Sequence, residues 1–190
     1  MRDGTNWVYA ARRHIGDFDG PALQTDIEQL YDGDVFEHLL VCGNFITVSS
    51  SMLRRTLLEE TGGFSTETVM RVCEDWELWT RISANHHVAV RREPLVNYRL
   101  HALNISRQSD RMARARTQII EKALTSPRGR ALPWRTKRMA WAYLNSANGW
   151  DARRHRRWAI AARCYLRSAL AWPFYGRAYS GLARIALLRD

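Results

Sequence analysis

Glu60-Thr61-Gly62-Gly63-Phe64, then about ten residues later Glu74-Asp75-Trp76-Glu77-Leu78-Trp79-Thr80-Arg81, is the stretch on which the fold turns. The glycine pair ends one helix, because glycine readily takes the left-handed conformation that helix termini need. The acid pair opens the next, over Glu74 to Ala84 with Asn85 as its stop. A helix N-terminus carries roughly half a positive charge and favours an ionised carboxylate there. Trp76 and Trp79 are three apart and so share a helical face, on which they can pack or form an apolar wall. Two roles stand open for Glu74 and Asp75. They satisfy backbone donors at the start of an amphipathic helix, or one of them takes a proton from an incoming hydroxyl.

Working outward, Asn6 to Ala11 reads as a strand, followed by the turn-like Gly16-Asp17-Phe18-Asp19-Gly20. Val35 to Val41 reads as a short helix or strand. Phe45 to Ser50 is apolar, β-branched and short, and is expected to be a buried strand. Ser51 is placed to cap a helix through Met52, Leu53, Leu57 and Leu58. His87 to Val90 and Leu95 to Arg99 read as strands on either side of Pro94.

Beyond Asp110 the pattern is helical throughout. Arg111 to Leu124 is followed by a break at Ser126-Pro127-Arg128-Gly129, then Trp134 to Ala147, Trp158 to Ala171 and Tyr175 to Leu188. Trp158, Ala161, Ala162, Tyr165, Leu166 and Ala169 recur at helical spacing. With the preceding helix ending at Asn148-Gly149, they resemble a helix-turn-helix unit of tetratricopeptide type. Strands mixed with helices, then helices alone, predict an α/β piece over residues 1–110 and an all-α tail over 111–190.

Charge draws the same line. Residues 1–110 carry a net −5 and residues 111–190 a net +15, giving +10 for the chain of 190 residues. The basic tail is suited to anionic lipid head groups, nucleic acid or an acidic protein face. It has no nucleic-acid fold signature, so peripheral membrane contact is expected ahead of nucleic acid. No window approaches the roughly 18 consecutive apolar residues of a membrane span, and no apolar run follows Met1 to serve as a signal peptide. Cys42, Cys73 and Cys164 are odd in number and in no zinc-ligand spacing. That points to a reducing cytoplasmic setting, with a peripheral position at the inner membrane face.

The order Gly-Gly-Phe, spacer, Glu-Asp-Trp-x-Leu-Trp-x-Arg, spacer, then Tyr98-Arg99-Leu100-His101 with Asn104-Ile105-Ser106, resembles the C-terminal part of the catalytic domain in family-2 glycosyltransferases. The likeness covers about residues 6–106 and is tightest from Asn44. It implies a partial GT-A fold: the acceptor-side half of a nucleotide-binding α/β domain, followed by the helical tail. In such inverting enzymes the Asp of the acid pair is the general base, which falls on Asp75. Glu74 would shape the acceptor pocket, Gly63 and Phe64 would form its floor, and Trp76 would either stack on a sugar or pack into the core. His101 and Arg99 would lie near the metal or diphosphate.

The same resemblance implies a nucleotide-sugar donor, a glycan or lipid-linked acceptor in polysaccharide biosynthesis, and Mn²⁺ or Mg²⁺ in the intact enzyme. The half that binds nucleotide and metal, about 100 residues, has no counterpart in this sequence. Asp17-Phe18-Asp19 spells D-x-D, but Arg12-Arg13-His14-Ile15-Gly16 before it does not read as a buried strand that would hold a metal site. The expectation is therefore a truncated fragment, without metal and without transferase activity by itself. The alternative is a basic helical interaction module that binds a membrane surface, a partner protein or nucleic acid.

Overall fold

A computed structural model describes residues 5–16, 30–100 and 109–187. It shows a mixed α/β part followed by a helical part. Two compact units separate, one of Met1–Leu39 with Asn44–Ile105, the other of Leu40–Gly43 with Ser106–Asp190. Among the described residues no helix is long and apolar enough to cross a membrane.

The first unit holds a three-stranded mixed sheet of β1 (Trp7–Gly16), β2 (Ser51–Leu53) and β3 (Ala89–Leu100), in the order β2-β1-β3. β1 pairs antiparallel with β2 and parallel with β3. Trp7, Tyr9 and Ala11 are buried along β1 in the two-residue period of a strand with one face to the core. The Tyr9 hydroxyl donates to Tyr31 O (2.9 Å) and accepts from Tyr31 N (2.8 Å), and burial pushes its pKa up to about 12. The start of α1 (Phe36–Val41), whose last residues from Leu40 fall in the other unit, and helices α2 (Arg55–Glu60) and α3 (Glu74–Ser83) complete the unit, with short 3₁₀ turns at Val48–Ser50 and Thr68–Val72.

Several expectations change here. Phe45 to Ser50 is not a strand. The Asn44 side chain accepts from Ile46 N (3.1 Å), and the Ser50 and Ser51 hydroxyls both donate to Thr47 O. Short polar side chains have bent the backbone into a turn that competes with any sheet ladder. Ser51 is therefore occupied and caps no helix; α2 starts later, after Arg54, without a side-chain cap.

β1 runs beyond Ala11 through the Arg12–Gly16 segment, because this stretch pairs with Val96 to Leu100. The strands expected on either side of Pro94 are one strand, β3. Its register against β1 shifts between Ala10 and Ala11 and again between Ala11 and Arg12, around Pro94. An irregularity of this kind lets a residue without an N–H sit inside a strand.

The second unit contains α4 (Ser109–Thr125), α5 (Pro127–Ala131), α6 (Trp134–Arg154), α7 (Trp158–Ala171) and α8 (Gly176–Ala186). The expected break at 126–129 is itself a short helix. Ser126 caps it by accepting from Gly129 N (3.0 Å), and Pro127 occupies its first turn. Gly149 does not end a helix; α6 continues to Arg154. A Cβ at Gly149 would sit 3.0 Å from the Tyr165 ring, so that glycine makes room for a side chain.

α6 ends at a turn in which Arg156 has φ +56° and Arg157 N donates to Ala152 O (2.9 Å), the six-to-one bond of a Schellman motif. Ala161, Tyr165 and Ser168 form the buried stripe of α7, while Leu166 points outward at 54% exposure. Ser168 Oγ donates to Ala142 O across the α6–α7 contact (2.7 Å). Arg138 donates to the carbonyls of Leu170 and Ala171, satisfying the C-terminal end of α7.

Candidate functional site

The described residues place Asp75 at the first turn of α3, half-buried. Its Oδ2 accepts from Asn44 Nδ2 (2.8 Å), and its Oδ1 from the backbone N–H of Trp76 (2.7 Å). Asn44 is oriented for this. Its own Oδ1 takes the Ile46 N–H, so the amide nitrogen is left to face the carboxylate.

Burial raises the Asp75 pKa above its ordinary value of 3.8, and the neighbouring Glu74 charge pushes the same way. The Trp76 N–H and the Asn44 amide oppose the rise by stabilising the ionised form. Desolvation makes this carboxyl more basic while directed N–H donors aim its oxygens, a combination suited to accepting a proton.

Two tryptophans hold this geometry. Trp76 Nε1 donates to Leu39 O (3.1 Å) and Trp79 Nε1 to Ile46 O (2.9 Å). Both indoles are buried, and Trp79 stacks on Trp7 with ring centroids 5.3 Å apart. Each pairs its polar atom while filling the core. Trp76, 2% exposed, is thus a core side chain and offers no open face on which a sugar could stack.

Arg81 is a positioning residue whose role the sequence did not disclose. Its guanidinium donates to the carbonyls of Thr61 and Gly63, and to both carboxylate oxygens of Glu77. The fork of a planar guanidinium suits several acceptors at once. It fixes the turn in which Gly62 and Gly63 take φ of +77° and +70°.

Phe64 follows this turn and is 42% exposed. Gly63 is therefore tied to Arg81, six residues along α3 from Asp75 and about 9 Å further along the helix axis. The contacts bring Asn44, Glu74 and Asp75 together, and they join Gly63 to Arg81.

Arg99 is exposed on β3. His101 and the Asp17-Phe18-Asp19 sequence lie outside the described residues. Among the described residues no three His, Cys, Asp or Glu side chains converge as a set of metal donors.

Described residues line several cavities, of which three bear on the site. One of about 450 Å³ lies in the first unit between Asn6, Asp32, Gly33 and the Asn85 to Ala89 stretch. The other two are in the helical unit. Trp134, Trp172 and Phe174 surround one of about 530 Å³ beside Arg135 and Arg138. The second, about 490 Å³, is rich in arginine and tyrosine. No family model, no curated protein and no solved structure matches this chain.

Proposed function

We propose that the first unit is the acceptor side of an inverting nucleotide-sugar glycosyltransferase domain of the GT-A type, with Asp75 as its general base. The carboxylate takes the proton of an acceptor hydroxyl as that oxygen bonds to the anomeric carbon of the donor. The anomeric bond to the diphosphate breaks, and its electron pair leaves with the nucleoside diphosphate. The carboxylate accepts from the Asn44 amide and from backbone N–H groups at the helix start, and its remaining acceptor capacity is what the hydroxyl proton would use. Asn44 keeps the carboxylate oriented, and Glu74 makes it more basic by its charge.

The observation that carries this reading is the half-buried, hydrogen-bonded Asp75 of raised pKa at a helix N-terminus. The sugar donor, the divalent cation and a glycan or lipid-linked acceptor belong to the same reading. A panel of oligosaccharides and lipid-linked sugars tests it, with binding measured by saturation-transfer NMR. At least one acceptor should bind the wild type and bind Asp75→Asn about tenfold more weakly, the value of one hydrogen bond to a charged acceptor. Glu93→Gln, on an exposed position of β3, should leave binding unchanged. A panel without a single ligand, or binding indifferent to Asp75, would overturn the assignment.

A further inference from the structure

The cavity of about 490 Å³ in the helical unit is within the roughly 300–1,000 Å³ typical of small-molecule sites. Its charge sets it apart. Arg116 of α4, Arg153 of α6 and Arg177 and Arg184 of α8 all line it, and no Asp or Glu is among its described lining residues. Arg116 is paired with Asp151 (2.5 Å) just outside the lining. Among the described lining residues the charged groups are all guanidiniums, so the wall is cationic.

Arg153 is only 6% exposed and is hydrogen-bonded to the Tyr165 hydroxyl, which fixes its guanidinium in the wall. Arg177 and Arg184 are seven residues apart on one helix. They therefore share a face about 10 Å apart along the axis and can approach one ligand from both sides. Tyr165 and Tyr175 add hydroxyl groups to the wall. Burial raises both pKa values, which keeps them protonated and able to donate. Trp150 lines the cavity too, with its ring 44% exposed and the Arg154 guanidinium 4.7 Å from its centroid.

We propose that this cavity binds a polyanionic phosphate group, a pyrophosphate or its ester, held by the Arg153, Arg177 and Arg184 guanidiniums. Arginine forks match phosphate oxygens in pairs, and several guanidiniums on one wall suit a ligand of two or more negative charges. Neither Asp75 nor Asn44 is among the described lining residues, and the outcome of the test leaves the acceptor reading untouched. The phosphate could belong to a soluble compound or to a lipid head group.

Calorimetric titration of the full chain with inorganic pyrophosphate, in about 0.15 M salt where loose surface attraction is screened, is the test. Saturable binding is expected with a Kd below about 1 mM. The Arg177→Ala, Arg184→Ala double variant should weaken it at least tenfold, the scale of a lost charge-assisted contact. Both positions are exposed, so the fold should survive, as circular dichroism would verify. Arg163→Ala, an exposed change on α7 away from the lining, should leave binding as it was.

A second arm uses phosphatidylcholine vesicles that contain phosphatidic acid. Vesicle binding displaced by pyrophosphate supports the site with a lipid as the source of the phosphate. Pyrophosphate binding without vesicle binding supports it with a soluble source. Absence of saturation with pyrophosphate up to about 10 mM, beyond any useful affinity, would overturn the proposal. Vesicle binding that pyrophosphate does not displace, or an equal loss in Arg163→Ala, would overturn it as well.

Discussion

Replacing Gly181 with alanine should destabilise the helical unit, although alanine is the better helix former. In the interior of α8 the exchange gains about 1 kcal/mol of intrinsic propensity. A Cβ at this position would lie 2.3 Å from the Tyr165 ring, where ordinary contact begins near 3.4 Å. The ring would have to retreat by about 1 Å (the difference of those distances). It has no room to do so: it is 3% exposed and already meets Gly149 on α6.

Overpacking of this kind costs about 1–3 kcal/mol, and a ring caught between two helices belongs at the upper end. The net loss is then about 1–2 kcal/mol. In a unit of this size each kcal/mol lowers Tm by about 4–8 °C. Urea and thermal unfolding followed by far-UV circular dichroism would measure it. The same exchange in a Tyr165→Leu background should change sign and stabilise by up to about 1 kcal/mol, since the obstructing ring is gone. A Gly181→Ala protein more stable than the wild type, or an equal effect in both backgrounds, would refute the reasoning.

Arg156 occupies the left-handed position of the turn between α6 and α7, so Arg156→Gly should stabilise by about 0.5–1 kcal/mol, read as a higher urea midpoint. Asp75 gives a pH signature. Its folded pKa lies above the ordinary 3.8, so its contribution to stability is fully present below that value and is lost as pH rises through the folded pKa. Wild type should therefore lose stability relative to Asp75→Asn as pH is raised from 3.5 through the acidic range, a span set by ordinary carboxyl titration; urea unfolding at a series of pH values would show the reverse trend if the carboxyl were stabilised by its ionisation.

Elements governed by local signals were legible in the sequence. α7 spans Trp158–Ala171 as its apolar period indicates, and α3 begins at Glu74 where the acid pair does. Where side chains reached across the chain, local signals misled. Phe45 to Ser50 has the composition of a strand, but the Ser50, Ser51 and Asn44 side chains bend it back on itself. Gly149 looks like a terminator and is in fact a socket for a ring sixteen residues away. At the candidate site, Asp75 and Glu74 stood out by their place at a helix start. Asn44 did not, because its partner is 31 residues distant and only the tertiary fold joins them. The cavity arginines were hidden among many others; they come from three helices, and no spacing in sequence links them.

The two indole N–H groups of α3 have a mechanical consequence. They grip carbonyls at Leu39 and Ile46, the two flanks of the segment that carries Asn44. Donor and acceptor of the Asn44–Asp75 bond are therefore braced by the same helix, with one indole anchor on each side of the amide that aims the carboxylate.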